Sequence, residues 1–327
     1  MERNKLFRFG LNNTSIILFV LLFVVFGVIA PRFFTGKNLE NILFSASYIG
    51  ILATGMTFVL LAGGIDLSVG SNMYLSGIIA GLLINNVGAP VWLAFLVAIA
   101  VGAVYGFINA FFITRLKIVP FIVTLSTLIA GRGLGLLITR SKSVDFPPHV
   151  NALSTTDILG FIPAPIFVFA LVVLVSHMAL SRTQFGRQVY ALGNNDEAAQ
   201  KAGINDRRLL TQIYVISGAL AAVAGLVSLA QIGRIQPNFG EAYELDAIAA
   251  AVLGGASLFG GIGSVFPGTV VGTLMIEMID AGLVFADVDI YLQPIVLAAI
   301  IFFAVFLDSV RSREIARLER RHIMKME

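Results

Sequence analysis

Residues 41–71 read NILFSASYIGILATGMTFVLLAGGIDLSVGS, and this stretch decides what kind of fold the chain forms. Residues 41–62 carry no charged side chain, and a helix needs about 20 apolar residues to cross the hydrocarbon core of a membrane. Gly63 and Gly64 end the apolar run, and Asp66 follows two residues later. The stretch therefore predicts a membrane-spanning helix that breaks at a glycine pair and is followed at once by polar groups.

The rest of the 327-residue chain has the same bias. Hydrophobic residues make up 57% and charged residues 13%, against about 25% charged residues in an ordinary soluble domain. This composition excludes a soluble globular protein and a disordered one. The chain has no cysteine, which excludes disulfides, cysteine-bound metals and thiol catalysis. Its 32 glycines suggest closely packed helices.

Charge-poor runs long enough to cross a membrane recur along the whole sequence. The run from Ala247 to Ile276 is too long for one crossing, and we divide it at its glycines. We therefore predict an all-α polytopic bundle of about ten transmembrane helices, in which residues 1–327 form a single transmembrane domain. The predicted spans are 12–30, 41–62, 68–86, 91–113, 119–139, 163–180, 209–231, 245–260, 265–285 and 290–307.

The distribution of lysine and arginine predicts the orientation. With both termini in the cytoplasm, 16 of the 22 basic residues lie in inner segments, five lie in outer segments, and Arg132 lies within a span. Cytoplasmic loops are enriched in lysine and arginine, so this bias supports that orientation. Residues 1–11, 181–208 and 308–327 are then cytoplasmic. The basic sequence pI of about 9.3 reflects membrane topology, and we expect no nucleic-acid partner.

Two halves of the chain resemble each other weakly. A shift of 191 positions pairs Gly63 and Gly64 with Gly254 and Gly255, and five further identities follow within about twenty positions. Transporters often contain such repeats, with the substrate pathway at the interrupted helices. Two unrelated glycine-rich junctions would also explain the pairing.

Small residues spaced four apart predict close helix packing. Because lipid offers no hydrophobic force between helices, small residues that let backbones approach contribute much of the packing. Four such pairs lie inside predicted spans: Gly77/Gly81, Gly102/Gly106, Gly131/Gly135 and Gly268/Gly272.

Catalytic motifs are missing from the sequence. The three histidines, at 149, 177 and 322, are far apart, and no phosphate-binding Gly-x-x-x-x-Gly-Lys-Ser/Thr motif occurs. We therefore expect no enzyme activity, no catalytic residue, no metal site and no cofactor bound by this chain.

Ionisable residues at membrane depth are costly, which makes them functional candidates. Asp66 or Ser68 could cap the helix after the first glycine break, and polar groups around that break could line a pathway. Glu277 and Asp280 share a helix face, so Arg132 is a possible partner for one of them, although Asp280 could also just reach the outer interface. The candidate pathway residues are Gly63, Gly64, Asp66, Ser68, Ser71, Asn72, Thr124, Arg132, Glu244, Asp246, Gly254 and Gly255.

The inner loop 181–208 contains signals for a short helix. Asn194 and Glu197 have the spacing of a capping box, and Gly203 can take the left-handed conformation that ends a helix. A helix this short is not stable alone in water. We therefore expect it to dock on a partner.

Further motifs carry a family resemblance. The chain resembles, from about residue 38 to 308, the membrane permease subunits of bacterial ABC importers for monosaccharides of the ribose, galactose and xylose type, which are related to branched-chain amino acid permeases. The motifs are Gly-Met-Thr at 55–57 with Gly-Gly-Ile-Asp-Leu-Ser-Val-Gly-Ser at 63–71, Pro-Phe-Ile-Val-Thr-Leu at 120–125 with Gly131-Arg132-Gly133, Phe-Gly-Arg-Gln-Val-Tyr-Ala-Leu-Gly-Asn-Asn at 185–195, and Tyr-Glu-Leu-Asp-Ala-Ile-Ala-Ala-Ala-Val-Leu-Gly-Gly at 243–255.

The resemblance implies a pore of two permease copies in the bacterial inner membrane. Two ATPase subunits, which bind ATP and Mg, would lie beneath it, and a periplasmic sugar-binding protein would dock above. A helix over 194–203 would sit in a cleft of the ATPase. The implied coupling residues are Asn194, Asn195, Asp196, Glu197, Ala198, Ala199 and Gly203.

Three alternatives remain open from the sequence. A secondary transporter driven by ions would also contain a repeat and broken helices. Within the importer class, branched-chain amino acids are the main alternative substrate. The pore could also pair this chain with a second, related permease instead of a second copy.

Overall fold

The computed structural model describes residues 14–158, 160–300, 302, 303 and 306, and within them the chain is predominantly helical. A 3-10 turn at Pro31–Phe34 and a π-helical turn at Val265–Thr269 complete the helical elements. Residues 293–300 are also helical. The α-helices are α1 Thr14–Ile29, α2 Gly36–Leu61, α3 Val69–Val87, α4 Val91–Arg115, α5 Pro120–Thr139, α6 Pro148–Asn151, α7 Ala164–Arg182, α8 Gln184–Asn194, α9 Asp196–Lys201, α10 Asp206–Ile232, α11 Tyr243–Leu253 and α12 Val270–Phe285.

Six helical segments are long and apolar enough to cross a membrane: α2, α4, α5, α7, α10 and residues 265–285. This finding confirms the prediction of an all-α, multi-pass membrane protein. α2 and α10 lie at the centre of the bundle. In their apolar 18-residue stretches 78% and 72% of the residues are buried, against 22–28% in those of α4, α5 and α7.

The predicted eighth span, 245–260, is not a continuous helix. α11 has only 11 residues and at 1.5 Å per residue extends about 16 Å, roughly half of the hydrocarbon core. The predicted helix is interrupted because the chain breaks at Gly254 and Gly255, and residues 254–264 form turns. The last predicted span, 290–307, and both terminal segments lie partly or wholly outside the described residues.

Glycines allow α4 and α10 to approach closely. A Cβ atom on Gly106 would lie 2.0 Å from the Tyr214 carbonyl oxygen, and one on Gly218 would lie 2.2 Å from the Gly102 carbonyl oxygen. No side chain fits at such distances. The predicted Gly102/Gly106 pair is therefore confirmed as a helix contact, and α10 is its partner.

The other three glycine pairs serve two purposes. Gly268 and Gly272 let α12 and the turn before it approach α11, as Gly102 and Gly106 do for α10. By contrast, Gly131 and Gly135 make room for large side chains, Tyr105 and Tyr74. Gly77 and Gly81 accommodate Ile235, Val144 and Phe146 from the segments at one end of the bundle.

Both glycine breaks predicted from the repeat exist, and they contact each other. α2 ends at Leu61 and α11 at Leu253, and each is followed by a glycine pair. Gly63 (φ +76°) and Gly255 (φ +94°) adopt the left-handed conformation that glycine tolerates best. The Gly261 N–H donates to the Leu61 carbonyl at 2.9 Å. The chain after the second break thus satisfies a carbonyl at the end of α2.

A short sheet joins two loops at the opposite end of the bundle. β1 (Val144–Asp145) pairs antiparallel with β4 (Arg234–Ile235), and Asp145 forms an ion pair with Arg234. A second pair, β2 (Asp157–Ile158) and β3 (Ile162–Pro163), forms a small hairpin. The charge distribution had predicted that both loops lie on the same side, and the sheet places them together.

Substituting Gly106 tests the contact between α4 and α10. We expect Gly106→Val to lower the free energy of unfolding by roughly 1–3 kcal/mol, because the new side chain collides with the Tyr214 carbonyl. Gly133→Val is the matched control, since Gly133 lies in a helix with no atom within 4 Å of its Cβ position. The measurement is the thermal unfolding midpoint of both variants in detergent. Equal midpoints would contradict the packing role.

Candidate functional site

Asp66 is the centre of the first break. Its side chain is buried, and Oδ1 accepts hydrogen bonds from the N–H of Ser68 at 3.0 Å and from its hydroxyl at 2.6 Å. Oδ2 accepts from the Ser217 hydroxyl on α10 at 2.9 Å. Ser68 precedes α3 but its side chain makes no capping bond. Of the two predicted caps, Asp66 is therefore the one whose side chain accepts a hydrogen bond from a backbone N–H in the turn before α3.

The hydrogen-bond network continues from Ser68 into α4 and α5. The Asn109 side-chain amide donates to the Ser68 hydroxyl at 2.7 Å, and the Thr127 hydroxyl donates to the side-chain oxygen Oδ1 of Asn109 at 2.7 Å. Tyr105 bonds to the Ser71 hydroxyl at 3.0 Å and to the Thr127 backbone carbonyl. Buried polar groups cost free energy unless they are paired, and this network pairs them across three helices.

Four members of this network were missed from the sequence: Tyr105, Asn109, Thr127 and Ser217. A weak signal existed for three of them. Tyr105 and Asn109 lie four residues apart on one face of an otherwise apolar helix, and Thr127 lies three residues after Thr124. Ser217 gave no such signal, because its partner is 151 positions away.

Asn72 and Thr124 donate hydrogen bonds to backbone carbonyls at and beside the break. The Asn72 amide donates to the carbonyls of Gly218 at 3.0 Å and Gly102 at 3.3 Å, where α4 and α10 cross. The Thr124 hydroxyl donates to the Ile65 carbonyl at 3.2 Å. The structure therefore brings the candidates Asp66, Ser68, Ser71, Asn72 and Thr124 together, all buried and bonded to protein groups.

Arg132 holds a loop. Its guanidinium donates to the Phe239 carbonyl at 2.6 Å and to the Pro237 carbonyl at 3.4 Å, and it lies 4.9 Å from the centre of the Tyr74 ring. Within residues 14–158 and 160–300 it forms no ion pair, so the structure does not show the pairing with Glu277 or Asp280 that the sequence left possible. The loop before α11 folds into the bundle, and its backbone carbonyls need a donor there.

The acidic candidates on α11 are Glu244 and Asp246, and each contacts a different neighbouring helix. Glu244 lies against Gly70 at the start of α3, where a Cβ atom would be 2.4 Å from its carboxylate. Asp246 lies close enough to Glu244 and to Asp280 and Glu277 of α12 for their charges to interact. It is also near Tyr48 and Tyr243, whose rings are 5.5 Å apart. In the described part of the chain these carboxylates do not form a metal-binding group.

Gly254 and Gly255 form the second break. A Cβ atom on Gly254 would lie 2.3 Å from the Gly268 carbonyl, so this glycine lets α11 reach the turn before α12. Nearby, the hydroxyls of Thr57 and Thr269 are 2.7 Å apart and join α2 to that turn. The second break is thus held to the central helix.

The predicted inner helix exists as α9, but its cap is Asn195, not Asn194. The Asn195 side chain accepts from the Ala198 N–H at 2.9 Å, whereas Asn194 is the last residue of α8. The turn therefore comes one residue later than the capping-box spacing suggested. Glu197 pairs with Lys201 at 2.7 Å instead of reaching back to the cap. Gly203 has φ +85°, which confirms the predicted helix end.

Residues 184–203, which we call the inner segment, contact both glycine breaks. The Gly193 backbone lies so close to the Leu61 carbonyl that a Cβ would be 1.8 Å from it. The Tyr190 hydroxyl donates to the Gly263 carbonyl at 2.9 Å, and burial raises the pKa of this phenol, which keeps it protonated. Within α9, Ala199 is buried against the rest of the protein, while Asp196, Glu197 and Ala198 are exposed.

Replacing Asp66 tests the network at the first break. We expect Asp66→Ala to destabilise the protein by about 1–3 kcal/mol for each donor left without an acceptor. Asp66→Asn should cost less, because its amide oxygen still accepts from Ser68 and the Ser217 hydroxyl can accept from its amide nitrogen. Thermal unfolding in detergent gives the comparison, with Ser217→Ala as the control that removes one donor only. An Asp66→Ala protein as stable as wild type would refute the capping role.

Replacing Arg132 tests its hydrogen bonds to the loop before α11. We expect Arg132→Gln to cost roughly 1.5–3 kcal/mol of stability, because two partly buried carbonyls lose a charged donor. The stability of Arg132→Lys should lie between that of wild type and that of Arg132→Gln, since an ammonium can reach one carbonyl. Unfolding midpoints measure the effect, and Arg182→Gln is the control at an exposed position. Wild-type stability of Arg132→Gln would contradict this role.

Comparison with known proteins places the chain in a family. Residues 38–305 match the family described as branched-chain amino acid transport system / permease component. The ribose import permease protein RbsC of Haemophilus influenzae is 38% identical over 92% of this chain and 94% of that protein. RbsC of Bacillus subtilis is 39% identical over 90% and 91%.

The galactose/methyl galactoside import permease protein MglC of Salmonella typhimurium is 34% identical over 90% of this chain and 94% of that protein. No solved structure gives a significant match. Because the family match covers most of the chain and the relatives align over nearly their full length, the chain belongs to this family of transport-system permease components, on the branch that includes sugar import permeases.

Proposed function

We propose that this chain is the transmembrane pore subunit of an ATP-driven importer, which passes a monosaccharide from a periplasmic binding protein into the cytoplasm by alternating access. The observation that carries the proposal is the inner segment. It offers an outward-facing helix at one surface and contacts both glycine breaks at the other. A partner that moves this segment would therefore move the two breaks together.

The outward face of α9 suits a protein partner. Asp196, Glu197 and Ala198 are exposed, and Asn195 and Gly203 fix both ends of the helix. Two defined ends hold a six-residue helix in one shape, which reduces the entropy lost on docking. The sequence contains no phosphate-binding loop, so the ATP and Mg that drive transport belong to a separate ATPase subunit in this proposal.

Force would pass from the inner segment along two contacts. The first runs through Gly193 to the Leu61 carbonyl at the end of α2. The second runs through Tyr190 to the Gly263 carbonyl after the second break. Between them, Gly261 bonds directly to Leu61. A rigid displacement of α8 and α9 would then change the angle at which α2, α3 and α12 leave the breaks.

A monosaccharide is the substrate that the relatives and the polar groups favour. Two of the similar permeases are named for ribose and one for galactose. The polar groups around the first break are mostly hydroxyls and amides, which can exchange hydrogen bonds with a passing sugar. Selection would rest with the binding protein, and contacts in the pore need only be weak. A branched-chain amino acid remains the alternative within the family.

Orientation and assembly complete the proposal. The lysine and arginine bias places both termini and the inner segment in the cytoplasm, with about ten membrane passages in the bacterial inner membrane. α11, with the loop that folds in before it, would count as one passage even though its helix is short. Two copies of the chain would form the pore, with two ATPase subunits beneath and a binding protein above.

An ion-coupled transporter is the second candidate. The acidic group of Asp246, Glu277 and Asp280 favours it, because carboxylates at membrane depth often carry coupling ions. Uptake in vesicles that hold a proton gradient but lack ATP separates the two. The importer proposal expects no uptake there, whereas uptake driven by the gradient alone would support the second candidate.

Charge reversal in α9 tests the coupling role. We expect Glu197→Lys to reduce uptake and transport-linked ATP hydrolysis by about tenfold, because the reversed charge meets the partner surface and also repels Lys201. Membrane insertion should be unchanged, since Glu197 is exposed. Asp157→Lys, at the opposite end, is the matched control. Normal uptake by Glu197→Lys at normal expression would contradict the coupling role.

A further inference from the structure

A cavity of about 630 Å³ opens between the end of α4 and the start of α10. It lies next to the inner segment, at the end of the bundle that the charge distribution assigns to the cytoplasm. Neither the breaks nor the outward face of α9 forms part of it. Its lining consists of Phe107, Phe111, Thr114, Arg115, Asn205, Arg207, Arg208, Thr211 and Gln212.

Three arginines converge on this cavity and no carboxylate lines it. The nearest acid along the chain, Asp206, is engaged by Lys117 at 3.2 Å and Gln200 at 3.3 Å. Within residues 14–158 and 160–300, Arg115, Arg207 and Arg208 make no side-chain hydrogen bond and no ion pair. Like charges held close together repel, so an anion between them would be stabilised. Guanidinium groups bind phosphate oxygens in a two-pronged geometry.

The α4 wall of the cavity is aromatic up to Thr114 and Arg115, and it lies on the outside of the bundle. Phe107 and Phe111 are one helical turn apart on α4, and Thr114 and Arg115 continue the same face. The two phenylalanine side chains are 53% and 45% exposed, on a membrane-spanning helix. A soluble anion would use only the arginines. A molecule with a phosphate at one end and hydrocarbon at the other would use both walls.

We propose that this cavity is a binding site for an anionic phospholipid such as phosphatidylglycerol. The three arginines hold its headgroup phosphate, and an acyl chain packs along Phe107 and Phe111. Basic pockets between transmembrane helices on the cytoplasmic side are suited to such headgroups. The acidic surface of a docked protein is the competing occupant, but it would leave the lipid-facing aromatic wall unused.

The test measures lipid binding by the purified full-length chain. Dioleoyl phosphatidylglycerol is titrated in detergent and bound lipid is counted by native mass spectrometry, with dioleoyl phosphatidylcholine as the neutral probe. We expect a preference for phosphatidylglycerol in wild type. We expect roughly thirtyfold weaker binding in Arg115→Gln/Arg208→Gln, because each of the two basic residues contributes about 1 kcal/mol and about 1.4 kcal/mol is a factor of ten. Arg182→Gln/Arg187→Gln removes two exposed charges outside the cavity and should bind as wild type does.

Several outcomes would overturn the proposal. Equal binding of the two lipids by wild type would do so even if the double variant failed to fold. Inorganic phosphate that displaces phosphatidylglycerol at millimolar concentration would assign the arginines to a soluble anion. Unchanged lipid binding in the double variant, combined with its loss of ATPase subunit binding, would assign them to the protein partner. Phe107→Ala/Phe111→Ala should weaken lipid binding, and an unchanged affinity would exclude the acyl-chain contact.

Discussion

The structure depends on satisfying buried backbone groups where helices break inside the bundle. Water cannot bond to groups buried there, and each unsatisfied group costs about 1–3 kcal/mol. Asp66 accepts an amide of the turn before α3, Arg132 donates to two carbonyls of the loop before α11, and Gly261 donates to the end of α2. These three solutions use different chemistry for the same constraint. The breaks are tolerated because each has such a partner.

The same constraint explains why the breaks are connected to the rest of the bundle. A buried acceptor such as Asp66 needs donors from several directions, and these come from Ser68 beside it and from Ser217 on α10. Asn109 and Thr127 extend the bonding to α4 and α5. Moving one break therefore disturbs helices that are distant in sequence. The inner segment touches both breaks and is well placed to cause such a movement.

Much of this could be predicted from the sequence because lipid imposes simple rules. Three predictions depended only on local chemistry, and the structure confirms them. The charge-free run 41–62 lies in a helix, helices end before the glycine pairs at 63–64 and 254–255, and Gly203 is left-handed. Two of the differences from the sequence prediction were local too. Asn194 and Asn195 are equally good caps, and only the length of α8 decides between them. The run after Leu245 is apolar enough for a crossing, but its glycines end α11 early.

The sequence by itself determined the membrane class, the positions of the helix breaks and the family, because these follow from composition, spacing and motifs. Only the tertiary structure decided which groups meet. It joined Asp66 to Ser217 across 151 positions. It gave Arg132 carbonyl partners where the sequence had left a carboxylate partner open, and it brought the two breaks into contact. Pairing between distant helices depends on how they pack in three dimensions. No local pattern of residues records that packing.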